Sequence, residues 1–275
     1  MITTRFAPSP TGFLHLGHAH SALFAARAAA GGRFLLRIED IDRGRCRPEF
    51  VDAIFDDLAW LGLTWEHPVW RQSDRMAAYG AALENLQAQG LLYPCFCTRA
   101  DIAREIAAAG SAPHGPDGPL YPGTCRGLDP ADREDRLAAG DAHVLRLDMA
   151  AARARAGALT WEDRAAGPQT ARPEIFGDVV LARKDTPTSY HLAVTVDDHA
   201  QGITLVTRGQ DLFAASHVHR LLQALLGLDA PAYHHHALLT GPDGKRYAKR
   251  DKSLTIRSLR DAGQTPAQVI ALAGV

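Results

Sequence analysis

Two rhythms of apolar and polar residues divide the chain. Residues 3–7 (TTRFA) read as a short strand that Pro8 and Pro10 stop, Gly12 permits a turn, and Gly17 opens an Ala-rich helix over 18–30. A second strand follows over 33–38 (RFLLRI), then a helix over 48–61 with Pro48 in its first turn. Ile54, Phe55, Leu58 and Leu61 form its apolar stripe, and Asp52, Asp56 and Asp57 its polar side, expected to be solvated. A further helix spans 74–89. This alternation predicts an α/β fold with a parallel sheet. From residue 93 to 177 the pattern gives way to Gly- and Pro-rich turns, cysteines and the mixed-charge DPADREDRLAAGD, which read as an inserted subdomain. Parallel-sheet character returns at 179–182, 192–196 and 203–207, followed by a helix over 213–226. The expected organisation is therefore a parallel-sheet fold split between 1–92 and 178–240, an insertion at 93–177, and a 241–275 segment holding a lysine loop and a short helix from residue 266.

Composition adds limits. The 275 residues are 46% hydrophobic and 22% charged, enough apolar material for a sizeable core. A net charge of −1 means that any RNA contact must come from local basic patches. The N-terminus lacks the basic and apolar regions of a signal segment, and no apolar run reaches the roughly 18 residues of a membrane span, so a cytoplasmic protein without a membrane partner is expected. Four cysteines suggest a reducing compartment, with Cys95, Cys97 and Cys125 reading as a metal set and Cys46 left over. Three of the four lysines, Lys245, Lys249 and Lys252, share one loop, and a compact mobile ammonium suits a phosphate that moves during reaction.

With no GxGxxG and no GxxxxGK[ST], the phosphate device must be the turn RFAPSPTGFLHLGH, which sets His15 and His18 beside a helix N-terminus that favours anions. Arg5, Glu39 and Arg208 all fall at strand ends and offer two cations and an anion at the carboxyl edge of one sheet, suited to a ligand with two carboxylates and an ammonium. Cys95 and Cys97 in CFC, with Tyr121 and Cys125 in YPGTC, supply three thiols and a phenol. Their spacing is unlike the CxxC pairs of zinc ribbons, so a metal site and buried free cysteines both stay open, and His114 rivals Tyr121 as fourth ligand. His234 to His236 are consecutive, point to alternate faces of a strand and cannot converge on one ion. Asp197 and Asp198 read as sheet-end residues near the ligand rather than acid–base catalysts, and the four tryptophans as core or surface aromatics.

HLGH within APSPTGFLHLGH resembles the first signature of class I aminoacyl-tRNA synthetases, and RYAKR at 246–250 within GPDGKRYAKRDKS resembles the second. The second departs from the family pattern, with Arg246 in place of the first Lys and Ala248 in place of the middle Ser. RFAPSPTG, RIEDID and SYHLAVTVDDHAQGITLVTRGQDL resemble the glutamyl branch, and the short stretch after Ser253, too brief for a helical anticodon-binding region, resembles the truncated glutamyl-queuosine tRNA(Asp) synthetase family. That resemblance implies a split Rossmann-like parallel sheet with an inserted zinc-containing subdomain and no anticodon-binding domain. It implies tRNA-independent activation of L-glutamate with ATP and magnesium, then transfer to the queuosine of tRNA(Asp), by a monomer. Arg5, Phe6, Ala7, Pro8, Ser9, Glu39, Tyr190 and Arg208 would bind glutamate. His15, Gly17, His18 and Lys249 would bind ATP, with His15, His18 and Lys249 catalytic, and Cys95, Cys97, Tyr121 and Cys125 would hold one structural zinc. The alternatives are a truncated enzyme charging a tRNA 3′ end, a non-catalytic tRNA-binding paralogue, and another HxGH nucleotidyltransferase.

Overall fold

The computed structural model describes residues 1–108, 114–239 and 255–274. The lysine loop, with Lys249 and the RYAKR sequence, lies outside the described residues.

In chain order the first half runs β1 (Thr3–Phe6), α1 (Leu16–Ala28), β2 (Arg33–Ile38), α2 (Pro48–Trp60), β3 (Glu66–Arg71) and α3 (Met76–Ala88). The three strands form a parallel sheet in that order. β3 had no counterpart in the apolar pattern because EHPVWR is an exposed edge strand with little apolar contrast. Leu14, Leu16, Ala22, Leu36, Ile38, Ile54 and Leu58 close the core between sheet and helices. Each large aliphatic among them contributes about 1.5–3 kcal/mol by leaving water.

The second half carries β4 (Leu92–Cys95), α4 (Arg99–Ala108), β5 (His114–Gly115), β6 (Gly118–Pro119), α5 (Pro130–Ala138), β7 (Val144–Leu147), α6 (Met149–Ala156), β8 (Thr160–Asp163), β9 (Gly167–Thr170) and β10 (Val180–Ala182). β4, β7 and β10 form a separate antiparallel sheet. Then come α7 (Tyr190–Ala200), β11 (Leu205–Gly209), α8 (Ala215–Leu226), β12 (Ala232–His236), α9 (Ile256–Asp261) and α10 (Pro266–Leu272). β11, β12 and β8 lie parallel, and β9 returns antiparallel at the edge. The sheet thus extends into the stretch expected to be inserted.

Three expectations are corrected. Residues 179–182 join no parallel sheet: β10 pairs antiparallel with β7 in the separate sheet. Residues 192–196 are helix, not strand: Ser189 caps α7 through its Oγ, and Leu192, Ala193, Val194, Thr195, Asp197 and Asp198 are all buried, so the helix is covered on several sides and shows no simple period. Asp197 and Asp198 are accordingly helical residues. Asp57 is not solvated either. It is 2% exposed and accepts a hydrogen bond at 3.2 Å from Arg260 of α9, whose guanidinium also lies over Trp60. No helix among the described residues is long and apolar enough to cross a membrane.

Candidate functional site

The strand order reverses between β1 and β11. From β1 the chain winds through α1 to β2 on one side, and from β11 through α8 to β12 on the other. The two strands meet where the Thr204 N–H donates to the Thr3 carbonyl at 3.0 Å. A crevice must open beyond their carboxyl ends. There lies a cleft of about 700 Å³, and the structure brings around it Arg5, Phe6, Ala7, Pro8, Ser9, His15, Gly17, His18, Glu39, Tyr190 and Arg208. Every candidate nucleotide and amino-acid residue that is described therefore faces one cavity.

At one end His15 caps α1. Its Nδ1 accepts from the Gly17 N–H at 3.1 Å, while the Nδ1 of His18 accepts from the His15 N–H at 3.2 Å. The two rings lie 3.8 Å apart. With both Nδ1 atoms accepting, the proton of each neutral ring sits on Nε2. A Cβ at Gly17 would stand 3.0 Å from His15 Cε1, so the ring would have to give by a few tenths of an ångström. The other side of the turn is tied down by Thr255, which bridges to His15, and by the Ile256 N–H donating to the Leu14 carbonyl at 2.8 Å. A helix N-terminus flanked by two imidazole rings favours an anion.

At the other end the charges are interlocked. Arg5 donates from Nε and Nη2 to the two carboxylate oxygens of Asp198, at 2.9 and 3.2 Å, and from Nη1 to the Thr207 carbonyl at 3.2 Å. Arg37, fully buried, reaches Asp198 at 2.9 Å, Glu39 at 3.3 Å and Gln201 at 2.8 Å. Burial alone would lower the Arg37 pKa, but Asp198, Glu39 and Asp197 outweigh it and raise it. Burial works to raise the Asp198 carboxyl, yet Arg5 and Arg37 hold it below the usual carboxylate range. For Glu39 burial wins over Arg37 and Arg5, and its pKa is raised. Its backbone N–H donates to the Pro8 carbonyl at 3.0 Å, which joins the two loops of the cleft. Asp197 faces away and accepts from Gln72, Arg75 and the Tyr79 hydroxyl at 3.1, 2.5 and 2.7 Å. Tyr190 opens α7 and reaches Arg208, whose Nη1 lies 3.3 Å from its hydroxyl. Two guanidiniums can receive carboxylates here, and Glu39 can receive an ammonium.

The sequence did not reveal that Arg37 and Asp198 underlie this end, nor that His235, His219 and Ser216 surround Arg208. RIEDID and VDDH carried the charges, but pairing between β2 and α7 spans residues remote in sequence. In β12 His235 turns toward Arg208, while the rings of His234 and His236 lie 4.8 and 4.9 Å from Phe24 on α1.

The sulfurs of Cys95, Cys97 and Cys125 lie within 4.8 Å of one another. The Tyr121 hydroxyl is 3.5 Å from Cys97 Sγ and accepts the Cys125 N–H at 2.9 Å. Without a cation burial pushes the Cys97 thiol up to about 12, whereas a coordinated thiol is deprotonated outright. Convergent, mostly buried soft donors fit a metal. His114, exposed on β5, lies outside this set.

The family model for the catalytic domain of class I tRNA synthetases (E and Q) matches residues 1–274. The chain is 50% identical to a glutamyl-Q tRNA(Asp) synthetase of Rhodobacter capsulatus over 279 aligned positions, 99% of each chain. It is 38% identical to glutamate–tRNA ligase 1 of Methylococcus capsulatus, covering 98% of this chain and 58% of the ligase. Among solved structures, a glutamate tRNA ligase of Elizabethkingia meningosepticum in complex with its amino acid is similar with a TM-score of 0.76 and 29% identity over 92% of this chain. The chain spans about half of that ligase, 52% of its length.

Proposed function

We propose, since this chain belongs to the catalytic-domain family of class I tRNA synthetases for glutamate and glutamine, that it activates L-glutamate with ATP and transfers the glutamyl group to the queuosine of tRNA(Asp). The observation that carries this reading is the single cleft in which Arg5, Glu39, Tyr190 and Arg208 face the His15–His18 turn. The match over 99% of a relative named for glutamyl-Q tRNA(Asp) supports the acceptor.

In this reading Arg5 and Arg208 receive the side-chain carboxylate of glutamate with Tyr190, and Glu39 receives its ammonium. The α-carboxylate oxygen then attacks the α-phosphorus of ATP, forming the mixed anhydride as pyrophosphate leaves. His15 and His18 donate Nε2–H to the phosphates over the N-terminus of α1, with Lys249; magnesium arriving with ATP would neutralise further phosphate charge. Because the donors are held by the capping bonds, catalysis is positioning plus electrostatics. In the second step a hydroxyl of the queuosine ring attacks the acyl carbon and AMP leaves.

Cys95, Cys97, Tyr121 and Cys125 would hold one zinc, closing a four-ligand structural site that leaves no position open to activate water. The inserted segment 93–177 around it would meet the RNA. On the same reading the enzyme is a cytoplasmic monomer.

Labelled glutamate, ATP and bulk tRNA with or without queuosine test the proposal. Label confined to queuosine-containing tRNA(Asp) is expected. Label on queuosine-free tRNA would instead identify a truncated charging enzyme, the reading favoured by the likeness to glutamate–tRNA ligases. Absence of glutamate-dependent pyrophosphate exchange would leave a non-catalytic paralogue.

A further inference from the structure

We propose that Asp163 and His235 are positioning residues that set the orientation of Arg208, so that a strand of the expected insertion controls amino-acid affinity in the cleft. The inference rests on the reading of Arg208 as a glutamate-binding residue. Asp163 ends β8, His235 lies on β12 and Arg208 on β11, three adjacent parallel strands, with Arg208 and His235 direct partners in register.

A guanidinium has five N–H donors. In Arg208, Nε donates to His235 Nε2 at 3.1 Å, Nη1 to the Tyr190 hydroxyl at 3.3 Å and to His219 Nδ1 at 3.1 Å, and Nη2 to Ser216 Oγ at 2.6 Å. Among the described residues these bonds leave one Nη2–H for a ligand. An arginine so constrained can present that donor in one direction only, and the direction depends on its acceptors remaining acceptors.

His235 can accept at Nε2 only if its proton is on Nδ1. Asp163 enforces that tautomer. Its Oδ2 accepts from His235 Nδ1 at 2.6 Å and from the His235 backbone N–H at 3.2 Å, and its Oδ1 accepts from the Ala165 and Ala166 N–H groups at 2.9 and 2.8 Å. Burial would raise the Asp163 carboxyl, but these donors hold it below the usual carboxylate range, ionised and able only to accept. Burial and Arg208 push His235 down to about 4, so its ring is neutral at neutral pH. His219 is set in the same way: its Nδ1 accepts from Arg208, and its Nε2 then donates to His191 Nδ1 at 3.1 Å.

An amide at position 163 would turn an N–H₂ toward groups that donate. The relief available is the other His235 tautomer, with Nε2–H facing Arg208 Nε–H, a donor against a donor, as when the aspartate of a serine-protease triad is replaced by asparagine. Arg208 must then rotate.

The test is glutamate-dependent pyrophosphate exchange with the full chain. KM for glutamate, KM for ATP and the melting temperature are measured for wild type, Asp163→Asn, His235→Leu and His235→Gln. Asp163→Asn and His235→Leu are expected to raise KM for glutamate by about tenfold or more, the effect of one charge-assisted hydrogen bond, with KM for ATP within about twofold. His235→Gln, whose Oε1 can replace the Nε2 acceptor, should recover most of the affinity lost in His235→Leu. An unchanged KM for glutamate in folded variants would overturn the proposal, whatever their melting temperatures, and so would a parallel rise in both KM values. If Asp163→Asn does not fold, the Leu–Gln comparison at 235 decides. Wild type without any glutamate-dependent exchange would instead overturn the functional reading beneath it.

Discussion

Replacing Asp198 by Asn tests whether the Arg5–Glu39 end of the cleft, proposed to bind glutamate, is held by its buried counter-charge. Asp198 is 5% exposed, takes two hydrogen bonds from Arg5 at 2.9 and 3.2 Å and forms an ion pair with Arg37 at 2.9 Å. Asn keeps the shape but removes the charge and presents an N–H₂ to at least one guanidinium. Removing one partner of a buried pair costs about 3–5 kcal/mol, chiefly because the other charge stays buried without compensation. Asp197, which reaches Arg37 only at 3.9 Å, cannot replace it. For a chain of this size, about 2–4 °C per kcal/mol places the loss in melting temperature at about 6–20 °C. Denaturation followed by circular dichroism over a range of pH reads both size and sign. The folded pKa of Asp198 lies below its unfolded value, so its contribution is present above the unfolded carboxylate pKa and is lost as pH falls through the folded one. The gap between wild type and variant should therefore be full at neutral pH and narrow in acid. Exchange kinetics should show a raised KM for glutamate, since Arg5 loses its charged partner and one of its three bonds. A loss below about 1 kcal/mol, or a gap that widens in acid, would refute the reasoning.

His18→Ala should lower pyrophosphate exchange by about 100-fold or more, the cost of one preorganised donor, while stability falls by only about 1 kcal/mol because the ring also caps the His15 N–H. Comparable fractional losses in exchange and stability would count against a phosphate role. Cys125→Ser, or prolonged exposure to a strong chelator, should release one zinc per chain by elemental analysis and lower the melting temperature, leaving exchange at low temperature largely intact; protein purified metal-free with an unchanged melting temperature would contradict this.

The local structure of the His15–His18 end of the cleft was legible in the chain itself because its parts are neighbours: a strand, a Gly-containing turn and two histidines one helical turn apart must fold together. The positions of Arg5, Glu39 and Arg208 at strand ends could likewise be read, since parallel strands align their carboxyl ends. The helix over Tyr190–Ala200 could not, because burial on several faces erases the period that separates helix from strand. Nor could the burial of Asp57, which depends on Arg260 arriving from the far end of the chain.

The sequence by itself determined which charges and donors this protein has and which of them sit at strand and helix ends. Tertiary structure decided which of those charges neutralise one another. Asp198 pairs with Arg5, Arg37 lies beneath Glu39, and Asp163 sets the tautomer of His235 beside Arg208. These pairs join residues from separate strands and helices, and a buried charge is tolerated only where the packed fold delivers its partner.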